Sequence, residues 1–343
     1  MFHKQQIYMN ITRFIKTFIL LLILNQPVFA EDQWFTGPFF AASGETIPVG
    51  HSNLTLTGST TPSNSIYISN WSIEPTYSFT AANLDGIFSY GLTDEFDVQV
   101  ETMLIKNSTQ GKSTETLGDS SVQLGYQLVN SNTYRPDVRL TVAEIFPTGR
   151  FDNLNPAKDG TDATGMGSYQ TAIGLNIEKS SRFSSQHTLK TTISIADIYS
   201  AEVSIKGIST YGGNKNTQAR IQPGNMFVFD LAGQLSITKN WVAVLEGYFQ
   251  YIASSRYKGR FRPDFSGGGQ HPVVRRLHGL FPSQHNIGQQ GLGNGNVDML
   301  SLAPGIEYNF SANYGLIMGT WFTTAGKNTP RFSALLLGLN AYW

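Results

Sequence analysis

From about residue 48 to Trp343 the chain repeats one pattern, apolar and polar side chains alternating one by one over runs of roughly ten residues. Phe227, Phe229, Leu231, Leu235 and Ile237 interleave with Val228, Asp230, Ala232, Gln234 and Ser236. Leu335, Leu337, Leu339, Ala341 and Trp343 repeat it at the C-terminus. An extended segment of this kind has one oily face and one wet face. The same alternation recurs around Phe96–Val100, Val122–Leu128, Val138–Val142, Tyr169–Ile177, Leu189–Ile195, Trp241–Tyr251 and Leu300–Phe310. Tyr314–Thr324 is mixed, so its facing is ambiguous, and Trp71–Tyr90 reads as one bent strand with a bulge near Ala81 and Asn83.

Connections sort into two classes. Short ones fall near Leu92–Glu95, Thr238–Asn240 and Ser311–Asn313, with intermediate ones near 130–136 and 180–186. Long ones fall near Asn107–Thr116, Thr148–Gly165, Ala201–Gly224 and Arg256–Asn296. Alternating short turns and long loops predict an all-β fold, an antiparallel up-and-down transmembrane β-barrel of about twelve strands, with fourteen as the alternative. A soluble sandwich also alternates, but its strands are typically about half as long. Tyr and Trp near the strand ends (Trp241, Tyr251, Tyr308, Tyr314, Trp343) suit a membrane-interface belt.

The N-terminus divides the chain. Lys4, Arg13 and Lys16, the apolar run Phe18–Leu24 and a small-residue end at Ala30 form a signal-peptide layout over residues 1–30, giving a mature start at Glu31 unless Met9 is the true start. Residues 31–47 are an aromatic- and Gly-rich lead-in placed either in the lumen or on the periplasmic rim, and residues 48–343 are the barrel. The chain carries 24 Lys plus Arg and 24 Asp plus Glu; removing the three leader cations leaves 24 − 3 = 21 against 24. That balance offers nothing to nucleic acid. Charged residues are 14% of the chain, below the roughly 25% of soluble domains, as a lipid-facing wall requires. Without cysteine, disulfides and thiolate metal sites are excluded.

Charges on the wet face are Asp97, Glu101, Arg139, Lys190, Asp230, Glu246 and Glu307. They either line a channel and bias its solutes or pair across strands and fill the bore. Glu144 falls on the oily face and should sit near the outer rim or beyond a bulge. The longest loop carries the basic patch Arg256, Lys258, Arg260, Arg262, Arg275 and Arg276, suited to lipopolysaccharide phosphates, to anionic solutes, to a constriction folded into the lumen, or simply to water. His271, His278 and His285 are spaced for neither a helical nor a strand metal site, so no metal or cofactor is expected. No Gly-x-Ser-x-Gly occurs, and the Gly-rich runs Gly267–Gly269 and Gly291–Gly295 lack a phosphate-loop setting, so no enzyme is expected.

Five fragments, in order, carry a resemblance: Glu45–Gly50 (ETIPVG), Tyr90–Asp94 (YGLTD), Gly118–Ser120 (GDS), Phe146–Gly149 (FPTG) and Gly165–Tyr169 (GMGSY). Together they resemble the outer-membrane barrel family named for the meta pathway of phenol degradation, itself similar to hydrocarbon and fatty-acid channels of Gram-negative bacteria. The resemblance implies uptake or export of small molecules, with hydrophobic or aromatic compounds as the class, and no substrate-contacting residue carries over. The expected function is thus an outer-membrane channel. The alternative is a closed barrel whose loops bind lipopolysaccharide or a host surface. Expected partners are outer-membrane lipid and lipopolysaccharide, and the barrel-assembly machinery through the strand ending at Trp343.

Overall fold

Every barrel strand must find a hydrogen-bonding neighbour on both sides, because hydrocarbon offers no water to an open edge. The computed structural model describes residues 34–260 and 295–343 apart from Thr133, Phe183, Ser185 and Gln186, and meets this demand by closure. Its strands are β1 Ser52–Tyr67, β2 Ile73–Gly91, β3 Phe96–Thr109, β4 Lys112–Leu117, β5 Ser120–Val129, β6 Asp137–Phe146, β7 Gln170–Arg182 and β8 Thr188–Ser200. They continue as β9 Val203–Lys206, β10 Gln218–Gln222, β11 Met226–Ser236, β12 Trp241–Ile252, β13 Arg256–Arg260, β14 Val297–Asn309, β15 Tyr314–Lys327 and β16 Thr329–Tyr342. Each wall strand pairs antiparallel with the next, and β1 closes on β16 from Asn53 opposite Tyr342 to Tyr67 opposite Thr329. Leaving out β4, β9, β10 and β13, the wall has twelve strands among the described residues, as the alternation predicts.

The burial pattern is inverted relative to a soluble protein. Asp97, Asp230, Gln234, Glu246 and Glu307 are buried inside, while Leu124, Val142, Ile173, Leu245, Leu335, Leu337 and Leu339 stand exposed outside. Leu335 is 68% exposed on a strand whose neighbour Leu336 is 4% exposed. An apolar outer wall of this kind is stable only in lipid. At the short-turn end, the Trp241 and Tyr308 rings meet tilted at 4.7 Å and Tyr308 meets Phe310 at 5.0 Å, forming part of an aromatic girdle. Placing a charge on this wall tests it: Leu337→Arg is expected to cost about 2–4 kcal/mol. Urea unfolding in lipid vesicles measures the loss, and an unshifted midpoint contradicts a lipid-facing position.

Several connections depart from the sequence reading. The segment Asn107–Thr116 is not a loop: β3 and β4 form a hairpin turning at Gln110 (φ 47°) and Gly111 (φ 76°), both left-handed as a two-residue hairpin turn requires. Residues 201–224 contain β9 and β10, which join β13 in a separate three-stranded sheet at the loop end. Two loop-end connections are tight rather than long, Ile68–Ser72 and the single residue Asn328, whose φ of 51° asparagine tolerates. The Trp71–Tyr90 stretch is one strand, but its irregularity lies between Pro75 and Phe79, and the ladder runs unbroken through Ala81 and Asn83. In Tyr314–Thr324 the inward residues are Gly315, Ile317, Gly319, Trp321 and Thr323. Glu144 faces outward near the loop end of β6, accepting a hydrogen bond from Thr171 Oγ1 at 2.7 Å.

Candidate functional site: the bore and its lead-in

Residues 34–50 have no strand pairing of their own beyond a parallel bridge from Val49 to Gly91, so their amides need acceptors elsewhere. The inner wall supplies them. Thr36 N donates to Glu307 Oε2 at 2.9 Å, and Thr36 Oγ1 to Asn309 Oδ1 at 2.7 Å. Three consecutive amides then converge on one carboxylate: Phe39 N on Glu246 Oε2 at 2.9 Å, Phe40 N and Ala41 N on Oε1 at 2.9 and 2.6 Å. Such a run of amides is an anion-binding nest, filled here by the wall's own side chain. Farther on, Ser43 Oγ bonds Glu178, Thr46 N bonds Gln127 Oε1 at 2.7 Å, and Ile47 N bonds Asp97 Oδ2 at 2.9 Å. The lead-in therefore crosses the bore from β12 and β14 to β7, β5 and β3.

Apolar contacts follow the same path. The Phe39 ring lies against Gly305 and Gly319, where a Cβ would stand 2.7 and 2.8 Å from it. Phe40 packs on Trp321 and Tyr248, with ring centroids 4.8 and 5.8 Å apart, and Trp321 packs on Phe332 at 4.5 Å. Buried Trp321 keeps its polar edge satisfied by donating Nε1–H to Ser301 Oγ at 2.8 Å. Inside the barrel, an aromatic cluster thus faces the lead-in.

All seven charges read from the sequence point into the bore. Asp97 pairs with Arg139 at 2.5 Å, both almost fully buried, and Gly125 leaves the room: a Cβ there would collide with Asp97 Oδ1 and Arg139 Nε. Lys190 pairs with Glu178 at 2.5 Å. Glu246 and Glu307 hold the lead-in, Glu307 also accepting from Gln234. Asp230 is buried beside Glu246. Glu101 accepts from Ser121 Oγ at 3.3 Å. Sequence reasoning missed Glu178, Gln127, Gln234 and Asp85 as members of this set, although each occupies the inward register of its strand. Of the basic patch, Arg256 and Lys258 are exposed on β13 and Arg260 ends that strand, while Arg262, Arg275, Arg276 and the three loop histidines lie outside the described residues.

A cavity of about 560 Å³ remains between the lead-in and the wall of β1, β2, β3, β15 and β16. Asn53, Thr55, Thr57, Asn83, Asp85, Gln99 and Glu101 form its polar side, and Phe39, Phe40, Ile317 and Trp321 its apolar side. Beyond it, inward Asn107 donates Nδ2–H to Thr161 O and Ala163 O, both at 3.2 Å, tying the 147–169 loop to the inner wall at the loop end.

The five sequence fragments prove to be two contact clusters. At the short-turn end Glu45–Gly50 meets Tyr90–Asp94, with Gly50 N donating to Gly91 O and Gly91 N to His51 O, each at 3.0 Å. At the loop end Asp119 accepts from Gly149 N at 2.9 Å and Met166 N at 2.8 Å, while Thr148 Oγ1 donates to Gly118 O at 2.7 Å. Burial holds the Asp119 carboxyl above its ordinary pKa, and those two amides pull it the other way.

Residues 3–271 match the family model described as "Putative MetA-pathway of phenol degradation". The chain belongs to that family. No curated protein sequence matches. Among solved structures, the COG4313 outer membrane channel from Pseudomonas putida F1 superposes with a TM-score of 0.62 at 14% identity, over 89% of this chain and 100% of that one. The CymD monoaromatic hydrocarbon channel gives a TM-score of 0.38 at 10% identity, over 86% of this chain and 88% of that one. With its inverted wall and this fold, the protein is a bacterial outer-membrane β-barrel.

Proposed function

We propose that this family member is an outer-membrane channel for small molecules with an apolar or aromatic portion, its bore restricted by the lead-in, and not an enzyme. The observation that carries the reading is the two-sided cavity: an aromatic wall opposite a hydroxyl- and amide-rich one, inside a membrane-spanning cylinder. A wide aqueous pore would have water-filled polar walls throughout; a solid structural barrel would leave no such space. The cavity's volume of about 560 Å³ lies within the roughly 300–1,000 Å³ of small-molecule sites. The family's description, with phenol in it, points to the same class. Residues 1–30 serve in this reading as the export leader, and the strand ending at Trp343 as the handle for barrel assembly.

Proteoliposomes test it. Phenol-sized aromatics are expected to enter vesicles containing the protein several-fold faster than protein-free vesicles, with sugars of similar mass excluded. Equal rates for both solute classes make it a general pore; no flux from either the intact protein or one lacking residues 34–47 refutes the channel.

A further inference from the structure

The sheet of β9, β10 and β13 prolongs the wall strands β8, β11 and β12 in the same order and register. Alternation divides its residues between two faces. Val203, Ile205, Ala219 and Ile221 are buried on one, packed with Tyr211, Phe151 and Met166. Tyr211 donates its hydroxyl to Met166 O at 2.7 Å, and Met166 N is held by Asp119 at the loop end of β5. That core therefore lies over the mouth of the bore, and the opposite face of the sheet looks away from it. On this outer face stand Lys206, Arg220, Arg256 and Lys258, all exposed. Arg220 is directly opposite Lys258, Arg256 is two residues from Lys258 on the same strand, and Lys206 is diagonal to Arg220. Cross-strand neighbours are about 5 Å apart and same-face neighbours along a strand about 7 Å, so four positive charges share one small surface. Like charges placed opposite each other destabilise a sheet, and an anion between them relieves the repulsion. Among the described residues these cations have one ion-pair partner, Glu202, at 3.4 Å from Arg220 Nη1. Both of its members are exposed, and a pair of that kind contributes little.

We propose that this face docks the phosphate groups of lipopolysaccharide in the outer leaflet, with Arg220 and Lys258 at its centre and Arg256 and Lys206 beside them. Depth along the wall favours a lipid over a free ion. Tyr199 and Tyr251 are exposed on the outer side of β8 and β12 near their loop ends, where aromatic residues mark the edge of the hydrocarbon. Arg256 follows Tyr251 by five residues, at most about 17 Å along the strand, which places the face at and just above the headgroups. A glycolipid carrying several phosphates on one sugar scaffold meets an array of cations at several points at once, an advantage that a single free phosphate lacks. Arginine adds bidentate hydrogen bonds to phosphate oxygens. The face lies outside the bore, so the proposal stands apart from the channel reading.

The probe is purified bisphosphorylated lipid A, with its enzymatically dephosphorylated form as the uncharged counterpart. Each is titrated into the detergent-solubilised protein at low salt and followed by native mass spectrometry. The intact protein is expected to bind the phosphorylated lipid at least about tenfold more tightly than the dephosphorylated one, a preference that weakens as salt rises. In Lys206→Gln/Arg220→Gln/Arg256→Gln/Lys258→Gln the ratio falls to about one. Glutamine already occupies positions 218 and 222 of β10, so the sheet accepts it. Heat-shifted migration on a denaturing gel verifies that the variant barrel is folded, and Arg220→Gln/Lys258→Gln alone is expected to lose about threefold or more of the preference should the fourfold variant fail to fold. Equal affinities in the intact protein overturn the proposal, as does an unchanged ratio in a folded variant. Displacement of lipid A by an equal concentration of inorganic pyrophosphate overturns it too, because the face then holds any free phosphate. Flux of neutral aromatics into proteoliposomes is expected to be the same for intact protein and variant, so the two readings fail separately.

Discussion

Glu246→Ala is expected to free the lead-in and convert the restricted bore into a freely conducting one. Glu246 is fully buried and accepts three of the lead-in's amide hydrogens, those of Phe39, Phe40 and Ala41. Hydrogen bonds to a charged group contribute about 1.5–3 kcal/mol each, and the three are lost together. Even about 4 kcal/mol shifts a closed-to-open equilibrium by roughly a thousandfold. The contact of Phe40 with Trp321 and the hydrogen bonds of Thr36 to Glu307, Thr46 to Gln127 and Ile47 to Asp97 remain and set a limit on the release. Planar-bilayer recording reads the result as a rise in open probability or unit conductance, and protease added from the short-turn side reads it as cleavage near Phe39. Glu246→Gln keeps one acceptor oxygen and should fall between the two. If the alanine variant conducts like the original and its lead-in stays protected, the lead-in is not held by this carboxylate and the closed state has another cause.

The strand positions were legible because the two sides of each strand meet opposite media, and the period-two pattern records that difference directly. It blurred where the media are not opposite. Tyr314–Thr324 looked mixed because Ile317 and Trp321 are apolar yet face inward, where Phe35, Phe39 and Phe40 give them apolar partners. The β3–β4 hairpin read as a loop because Asn107–Thr116 is rich in Ser, Thr, Asn and Gly, although Ser and Thr pair readily in a strand. The inward charges were found from register alone. Their partners were not, because the amides that Glu246, Glu307 and Asp97 satisfy belong to a segment without periodicity, and a backbone N–H has no signature in the sequence. The five family fragments were visible as a set, but their convergence on Gly91 and on Asp119 needed coordinates.

The Asp97–Arg139 pair carries the largest stability cost expected from a single inward substitution. Arg139 is 4% exposed and Asp97 1%, so Arg139→Met leaves a carboxylate with no cation in a place that water barely reaches. Breaking such a pair from one side typically costs about 3–5 kcal/mol, more than the pair itself contributes to stability. The loss spreads to the lead-in, because the other Asp97 oxygen accepts the Ile47 amide at 2.9 Å. Asp97→Asn alone should cost less, since the arginine left behind is long enough to reorient toward the cavity and the substituted amide still offers an acceptor oxygen to Ile47. Combining both changes removes the uncompensated charge, and the double variant should regain most of what Arg139→Met loses, a coupling of at least about 2 kcal/mol. Urea unfolding in lipid vesicles followed by tryptophan fluorescence supplies the four midpoints. Additive losses, with no recovery in the double variant, would mean that the two side chains act independently and that the bore is wet enough to screen them.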